Sequence, residues 1–315
     1  MAIPQVILDT DFSTDVGDAH SLVMAISMHL SGLINLIGVI VSSSNQKAPG
    51  AVDAFLRAFS ITTIPIGALQ GAAGSRDPSG PGLWVPYVYD NYTHVLGLSP
   101  SVATDLAIYQ QVLSAADDSS VSIVAVGGAT SFEALRAASP SLVSSKVKEL
   151  VWAVGDFPSS ASEFNITIDV AAATTAMESW PTPIVYTAYT QALTVNAGQN
   201  VNYVFPGAAP SDILARATLE DANSAEFQGR PAWDELPLIW TLARESAFTL
   251  TKGANAVTTG DGNTFTSDVD GKDAYVVFGW PDCQYTSFIN PFLVASRSTG
   301  IVNFDKANKY VTFSV

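Results

Sequence analysis

Short runs of Val, Ile and Leu recur along the chain, and amphipathic segments rich in Ala separate them. The apolar residues of these runs are nearly continuous instead of alternating with polar ones, a pattern typical of strands covered on both faces. Helical segments between such strands favour a parallel sheet. We therefore predict an α/β fold with a mostly parallel central sheet flanked by helices. The predicted strands are 5–9, 34–42, 62–68, 120–128, 148–155, 182–188 and 274–280, and the predicted helices include 18–30, 48–60, 131–139 and 237–246.

Two segments interrupt this alternation. Residues 71–92 are rich in Gly, Pro and Ser, and residues 251–273 are polar and rich in turn-forming residues. We interpret both as excursions from a single domain that covers residues 1–315. The second excursion is predicted to contain a β-hairpin around the sequence GDGN at 260–263.

The chain of 315 residues is 48% hydrophobic and has a formal net charge of −15, from 29 acidic and 14 basic residues. This composition indicates a soluble globular protein. Its negative charge, with no cluster of Lys and Arg, argues against nucleic acid as a partner. The single cysteine, Cys283, excludes an internal disulfide framework and a multi-cysteine metal site.

The N-terminal sequence MAIPQVILD has no basic region ahead of a long apolar one. No apolar run reaches the roughly 18 residues that a membrane span needs. We therefore expect a cytoplasmic protein that makes no membrane contact. The sequons at Asn91 and Asn165 would matter only if a leader had been removed from the natural protein.

Four aspartates, Asp9, Asp11, Asp15 and Asp18, follow the first predicted strand within ten residues. One or two acids at this place would be ordinary caps for the helix that begins near Asp18. Four carboxylates repel one another, which costs stability unless a cation compensates. Oxygen ligands of this kind favour calcium or magnesium over zinc or copper. The acids also lie where ligands bind in an open parallel sheet, beyond the carboxyl ends of the strands.

Polar residues follow later apolar segments as well. They form three groups: Gly127, Gly128 and Thr130; Glu163 and Asn165; and Trp233 and Asp234. The first group is consistent with a plain helix cap, and the second suits either hydrogen bonds to a polyhydroxylated ligand or a solvated loop. In isolation, the third group is consistent with an aromatic side chain of the core or of a lid, followed by a helix cap.

Taken in this order, the segments resemble the inosine-uridine nucleoside hydrolase family. The sequence DTDFSTDVGDA at 9–19 resembles the longer form of that family's N-terminal aspartate motif. The sequences SSSNQ, VGGATS, SEFNITIDVAAA and AWDELP resemble the family's later segments, so the likeness extends from residue 5 to about residue 240. No single segment is diagnostic, but five in register with a parallel α/β pattern are fairly specific.

The resemblance implies a calcium-dependent hydrolase that splits the N-glycosidic bond of ribonucleosides, giving free base and ribose through an oxocarbenium-like state. It implies one calcium ion at the bottom of a pocket and a water molecule activated by Asp11 and the metal. The implied metal ligands are the carboxylates of Asp11, Asp18 and Asp234 and the backbone carbonyl of Thr130. The implied catalytic residues are Asp11 and Asn45, and the implied substrate-binding residues are Asn45, Glu163, Asn165 and Trp233.

The chain departs from the family pattern at Gly17, where members have the first aspartate of an Asp-Asp pair that binds the ribose diol. Asp15 precedes Asp18 by three residues, which places both on adjacent parts of one helix face. We hypothesise that Asp15 takes over the missing sugar contact or supports the metal. Asp9 is expected instead to fix the turn through hydrogen bonds to the backbone.

The second departure is Trp233, at a position where many members have a histidine that protonates a purine leaving group. An indole is not an acid near neutral pH, but it can stack on a nucleobase. No histidine of this chain obviously replaces that acid, and His20 and His29 fit a helix surface. Departure of the base could then depend on stacking, on another acid such as Asp156 or Glu235, or on no acid at all.

Three alternatives to a hydrolase stay open. A relative of the family could bind a sugar or nucleoside without turnover, a reading that Gly17 and Trp233 favour. The sequence ILDTDFST at 7–14 loosely fits a haloacid-dehalogenase-like phosphatase, although GDFPSS at 155–160 lacks the second acid of that group's later motif. The acids could also be structural. For partners, we expect a small nucleoside substrate and assembly into a homodimer or homotetramer.

Overall fold

A nine-stranded sheet forms the centre of the fold in the computed structural model. The structure describes residues 3–12, 15–70, 84–198, 212–222, 229–295, 301–305 and 310–314. The strands of this part of the chain are β1 (Gln5–Thr10), β2 (Asn35–Val41), β3 (Ile66–Ala68), β4 (Val121–Ala125), β5 (Val147–Ala153), β6 (Ile184–Thr187), β7 (Asn196–Ala197), β8 (Arg230–Pro231), β9 (Phe248–Val257), β10 (Asn263–Ser267), β11 (Asp273–Phe278), β12 (Ile301–Asp305) and β13 (Tyr310–Ser314).

The central sheet has the strand order β10-β9-β11-β6-β5-β4-β1-β2-β3. Strands β1 to β6 pair in parallel, β11 joins β6 in parallel, and β9 lies antiparallel between β11 and β10. The predicted mostly parallel sheet is therefore confirmed. The hairpin predicted around residues 260–263 is the connection from β9 to β10, and it extends the sheet at one edge.

Helices cover both faces of the sheet. They are α1 (Gly17–Leu30), α2 (Ala48–Ala58), α3 (Trp84–Asn91), α4 (Asp105–Ala115), α5 (Thr130–Ala138), α6 (Pro140–Lys146), α7 (Phe164–Ile168), α8 (Val170–Ser179), α9 (Tyr189–Ala192), α10 (Ile213–Ala222), α11 (Leu236–Ala247) and α12 (Asp282–Ala295), with a 3-10 turn at Ser99–Ser101. None of the helices in the described ranges has the length and apolarity to cross a membrane.

The two faces of the sheet bury separate cores. Val6 and Leu8 of β1 pack in the core formed with α1, α2, α11 and α12, whereas Ile7 packs in the core formed with α4, α5 and α8. Neighbouring residues of a strand point to opposite faces, so an apolar residue at every position is needed when both faces are covered. This explains the continuous apolar runs of the sequence.

Residues 84–91, inside the first predicted excursion, form helix α3. Trp84, Val85 and Val88 are buried, and the ring of Trp84 meets that of Phe12 edge-on with 4.8 Å between centroids. Their spacing of one and four residues places these side chains on one side of a helix. The Gly, Pro and Ser residues on the N-terminal side obscured this pattern. Residues 71–83 lie outside the described part of the chain.

An ionic cluster in the core beside β5 leads to a prediction about stability. The buried Glu149 accepts hydrogen bonds from Ser122 Oγ at 2.8 Å and Trp240 Nε1 at 3.2 Å, and it pairs with the Arg244 guanidinium. Burial alone would raise the pKa of Glu149, but Arg244, Ser122 and Trp240 together hold this pKa below its ordinary value. We expect Arg244→Met to lower the free energy of unfolding by about 3–5 kcal/mol, because it leaves a buried charge without its partner.

Urea denaturation at neutral pH measures this loss. The control is Arg136→Met, which removes a pair with Glu133 between neighbouring turns of one helix and should cost less than about 1 kcal/mol. A carboxyl with a lowered pKa stabilises the fold above its unfolded-state pKa, and this contribution disappears as the pH falls through the folded-state pKa. The difference between wild type and Arg244→Met should therefore shrink in acid. Equal stability of the two variants would contradict the prediction.

Candidate active site

One pocket lies at the edge of the sheet where β1, β4, β5 and β6 end. Its volume of about 330 Å³ lies at the lower end of the roughly 300–1,000 Å³ that small-molecule sites measure. The pocket has an acidic floor and an apolar wall. Its lining residues are Asp11, Asp15, Asp18, Val126, Ala153, Val154, Glu163, Phe164, Asn165, Thr187, Tyr189, Arg230, Trp233 and Asp234.

The floor carries three carboxylates from three different elements. Asp11 follows β1, Asp18 lies in the first turn of α1, and Asp234 lies just before α11. Asp11 and Asp18 are buried, and the Thr10 hydroxyl donates a hydrogen bond to Asp18. Burial raises the pKa of Asp234 well above its usual range, and the neighbouring acids, Asp18 first among them, raise it further. The acids of the floor therefore lie close enough together to disfavour the ionised form of Asp234.

The donor chemistry of this floor fits a hard cation such as Ca²⁺. Carboxylate and carbonyl oxygens are the ligands that calcium prefers, and Val126, which follows β4, lines the same pocket. Within the described ranges, no three or more His, Cys, Asp and Glu side chains already form a compact set of metal ligands. The case for a cation therefore depends on the carboxylates themselves: they are acidic, they are buried, and they line the same pocket.

Asp9 is buried and is not among the described residues that line the pocket. Its carboxyl accepts hydrogen bonds from Ser42 Oγ and Tyr109 OH, each at 2.6 Å, and burial raises its pKa to about 7. The expected bonds from Asp9 to the turn backbone are thus replaced by bonds to two side chains. The sequence could not show this, because Tyr109 lies 100 residues away.

Glu163 and Asn165 both line the pocket, but only Glu163 lies in the predicted loop after β5, because Asn165 is in the first turn of α7. Glu163 Oε2 accepts a hydrogen bond from Ile166 N at 3.0 Å and caps α7, while burial raises the pKa of Glu163 to about 7. The Asn165 amide donates to the carbonyls of Ala153 at 2.7 Å and Val126 at 3.3 Å. These bonds fix both side chains relative to the ends of β4 and β5.

Asn263 supports this loop and was not singled out from the sequence. This fully buried residue of β10 accepts hydrogen bonds at Oδ1 from Asp156 N at 2.9 Å and Ser160 Oγ at 2.7 Å. Asp261 of the same hairpin accepts a bond from the Glu163 backbone N at 3.1 Å. The β9–β10 hairpin thus braces the loop that carries Glu163. The only signal in the sequence was the predicted hairpin itself.

The apolar wall contains a stacked pair of aromatic side chains. The rings of Tyr189 and Trp233 lie 5.4 Å apart at an angle of 9°, and Trp233 Nε1 donates to the Tyr189 carbonyl at 3.2 Å. Tyr189 and Phe164 are exposed by 46% and 42%, so a flat ligand can reach them. Aromatic faces arranged in this way suit stacking of a planar ring.

Two predicted site residues are not brought to the pocket. Asn45 Oδ1 accepts from Lys47 N at 3.1 Å, an arrangement that fixes the turn before α2. Thr130 begins α5, and its hydroxyl donates to Asp169 at 3.0 Å. Neither is among the described residues that line the pocket. Val126 directly follows β4 and lines the pocket, whereas Thr130 lies four residues further along the chain, at the start of α5.

The alternative acids also lie elsewhere. His20 was expected on a helix surface, but it is fully buried, 3.3 Å from both Glu235 and Thr218. Asp156 accepts a hydrogen bond from Thr190. In the part of the chain that the structure describes, none of His20, Glu235 and Asp156 lines the pocket. The burial of His20 depends on contacts with distant parts of the chain, which a local pattern cannot show.

Arg230 is a lining residue that the sequence did not reveal. It pairs with Asp15 at 3.0 Å and with Asp221 at 3.4 Å. An isolated arginine in a polar segment, GRPAW, carries no signal of its own. The pair partly neutralises the acidic floor on this side.

Comparisons with known proteins place this geometry in a family. The sequence profile of the family described as "Inosine-uridine preferring nucleoside hydrolase" matches residues 6–282. None of the curated protein sequences matches the chain significantly.

Solved structures share the fold. A plant nucleoside hydrolase is 16% identical with a TM-score of 0.69, covering 93% of this chain and 100% of the plant chain. The inosine-uridine preferring nucleoside hydrolase from Bacillus anthracis is 15% identical with a TM-score of 0.70, covering 93% of this chain and 99% of its own. The type III effector protein XopQ, solved with adenosine diphosphate ribose, is 13% identical with a TM-score of 0.71, covering 95% and 94%.

The profile match extends over most of the chain and includes the acidic floor, the Glu163 loop and the Trp233–Asp234 segment. The structural matches agree on a single domain with a mostly parallel sheet flanked by helices. The chain therefore belongs to the inosine-uridine preferring nucleoside hydrolase family and is classed with the nucleoside N-ribosyl hydrolases.

Proposed function

We propose that the protein hydrolyses the N-glycosidic bond of ribonucleosides with the help of Ca²⁺, releasing free base and ribose. The observation that carries this proposal is the shared pocket: buried carboxylates form its floor and a stacked aromatic pair forms its wall. A sugar between floor and wall would have acids on one side and would present its base to the aromatic rings. A homodimer or homotetramer in the cytoplasm is proposed as the native form.

The floor suits the chemistry at the sugar. Hydrolysis passes through an oxocarbenium-like state, so positive charge develops on the ring while water attacks the anomeric carbon. Asp11 is the proposed general base that takes a proton from this water. The other carboxylates of the floor stabilise the developing positive charge, because they are held in place before the reaction. Glu163 and Asn165 are proposed to orient the sugar hydroxyls.

A calcium ion would be held by the carboxylates of Asp11, Asp18 and Asp234 and by the backbone carbonyl of Val126. When bound, it would supply Lewis acidity that lowers the pKa of a water molecule beside the sugar. The proposal is supported by the raised pKa of Asp234, since a group disfavoured as an anion by burial and by neighbouring acids gains most from a cation. The carbonyl of Val126 replaces that of Thr130 in this ligand set.

The wall suits the leaving base. Trp233 and Tyr189 offer a stacking surface, whereas the candidate acids Asp156 and Glu235 lie outside the described lining of the pocket. We therefore propose that stacking assists the departing base, which leaves without a proton from either of those acids and takes its proton from solvent water.

This role of Trp233 gives a prediction. Trp233→Ala should raise KM for nucleosides about tenfold, because stacking of one base on an aromatic ring contributes about 1–3 kcal/mol. Trp233→Phe is the matched control and should stay much closer to wild type, since a phenyl ring preserves most of the stack. Steady-state kinetics with one purine and one pyrimidine nucleoside make the comparison. Equal KM values for Trp233→Ala and wild type would exclude Trp233 from base binding.

The proposed activity is tested with a panel of purine and pyrimidine ribonucleosides in buffer that contains Ca²⁺. Chromatography detects the free base, and a reducing-sugar assay detects ribose. We expect equal amounts of both products from at least one nucleoside. If purified, folded protein forms no product from any member of the panel, the proposed activity is wrong.

A second candidate is a family relative that binds a nucleoside or ribosyl ligand without hydrolysis. Gly17, which lacks the side chain of the family motif, favours it, and two structures similar to this chain are effector proteins, one of them solved with adenosine diphosphate ribose. Calorimetry separates the two candidates, since a binder would retain its nucleoside unchanged over hours. The family match over residues 6–282 favours both candidates over the haloacid-dehalogenase alternative.

A further inference from the structure

Three charged side chains form a continuous ionic chain on one side of the pocket. Asp15 Oδ2 pairs with Arg230 at 3.0 Å, and Arg230 Nη1 lies 3.4 Å from Asp221 Oδ2. Asp15 and Arg230 line the pocket, whereas Asp221 is not among the described lining residues. The side chains of Asp15 and Arg230 are exposed by 23% and 32%, so both can contact a ligand.

The carboxylate of Asp15 occupies the space above Gly17. Its Oδ1 accepts a hydrogen bond from Gly17 N at 2.6 Å. A Cβ atom added to Gly17 would lie 2.7 Å from this oxygen and 2.5 Å from Asp234 Oδ2. Any side chain at position 17 would therefore collide with both carboxylates. The glycine and the position of Asp15 are structurally dependent on each other.

The chemistry of this arrangement favours a neutral polyol over an anion. Arg230 is the one cation among the described lining residues, and two carboxylates already share its charge. An anionic group would also meet the aspartates of the floor, which repel it. Each oxygen of Asp15 keeps a lone pair beyond its present bond, and two adjacent hydroxyl groups present two donors that match a carboxylate.

We infer that Asp15 is the residue that distinguishes ribose from 2-deoxyribose in this protein, with Arg230 as its positioning residue. This inference rests on the proposed function. Asp15 accepts hydrogen bonds from the vicinal hydroxyls of the sugar, Gly17 N and Arg230 fix the orientation of its carboxylate, and Asp221 holds Arg230. Loss of one sugar hydroxyl leaves the carboxylate incompletely bonded, which is how a polar site rejects an analogue that lacks a hydroxyl.

The test compares kcat/KM for uridine, 2′-deoxyuridine and 5′-deoxyuridine. If uridine is not turned over, the best ribonucleoside of the panel and its deoxy analogues replace this series. Wild type should prefer the ribonucleoside to its 2′-deoxy form. In Asp15→Asn and in Arg230→Met, this preference should fall at least about tenfold, because a strong polar contact to the 2′-hydroxyl is lost. The preference for the ribonucleoside over its 5′-deoxy form should stay within about twofold.

The ratios of kcat/KM between the substrates separate a loss of sugar recognition from a general loss of activity. A merely structural role for Arg230 would lower the rates for all three substrates together and leave the ratios unchanged. Arg230→Lys should restore part of the preference, since it returns the positive charge without the planar guanidinium. The control is Arg136→Met, which removes a pair outside the pocket and should leave every ratio unchanged. Unchanged ratios in Asp15→Asn or in Arg230→Met would overturn the inference.

A binding measurement covers the case in which wild type hydrolyses no nucleoside, which would refute the proposed function. Calorimetric titration of wild type and Asp15→Asn with ribose and with 2-deoxyribose then tests Asp15 alone. Preferential binding of ribose by wild type, lost in Asp15→Asn, supports the inference in a protein that binds without turnover. Absence of a ribose preference in wild type overturns it.

Discussion

Asp11→Asn should lower kcat for nucleoside hydrolysis by about 1,000-fold, within the range of about 100- to 10,000-fold that a general base contributes. An amide has nearly the same shape as the carboxylate but does not accept a proton from water. Asp11 is buried at the end of β1, and a Cβ added to Gly127 would approach its carboxyl group to 2.9 Å. The tight packing means that an isosteric replacement is needed to test the chemistry without moving neighbours.

Steady-state rates of base release measure this effect. Asp118→Asn is the matched control, because the side chain of Asp118 is 77% exposed and lies on the surface beside Lys146. The control should keep the wild-type rate, and both variants should keep the wild-type thermal stability to within a few degrees. An Asp11→Asn variant that retains more than about a tenth of the wild-type kcat would remove Asp11 from the role of base.

Asp234→Asn should abolish hydrolysis and at the same time stabilise the protein in the absence of divalent cations. The ionised form of Asp234 is disfavoured by burial and by Asp18, Asp15, Glu235 and Asp11. A carboxyl whose folded-state pKa is raised loses stability as the pH rises above its unfolded-state pKa, so an uncharged amide removes that cost at neutral pH. We therefore expect Asp234→Asn to raise the free energy of unfolding at neutral pH in the absence of divalent cations.

Thermal and urea unfolding in EDTA at neutral pH test this gain, and they are repeated with saturating Ca²⁺. Calcium should stabilise wild type far more than Asp234→Asn, because a ligand stabilises the state that binds it. In acid, where Asp234 of wild type is protonated, the advantage of the variant in EDTA should disappear. A variant that is less stable than wild type in EDTA at neutral pH would mean that protein contacts already compensate the charge of Asp234.

The sheet and most of the acidic floor could be predicted from the sequence because their signals are local. Continuous apolar runs such as the one ending at Asp9 require burial on both faces, and parallel strands bring their carboxyl ends to one edge. That rule is enough to place Asp11, Glu163 and Asn165 near one another. The hairpin around residues 260–263 was equally local, since turn residues there separate two β-rich segments.

The residues that were misplaced or missed depend on contacts between distant parts of the chain. A motif gives the order of residues but not which of them line the pocket, so the resemblance implies Thr130 as a metal ligand whereas Val126 is the residue of this turn that lines the pocket. The role of Asn45 is implied by the resemblance alone, and the Asn45 side chain hydrogen-bonds to the backbone of its own turn. The hydrogen bond between Ser160 and Asn263 joins residues 103 positions apart in the sequence, and no periodic pattern along the chain indicates such a contact.

The most direct test of the account follows one preparation of wild-type protein through removal and return of calcium. Base and ribose release from the best nucleoside of the panel is measured first as purified with Ca²⁺, then after EDTA and dialysis, and finally after Ca²⁺ is restored. We predict that hydrolysis occurs, falls below a hundredth of its initial rate on chelation, and returns with added Ca²⁺, as expected when a cation is required to activate water (an effect on the order of several kcal/mol). Full hydrolysis after chelation would contradict the calcium requirement, and absence of hydrolysis at every step would contradict the proposed enzyme.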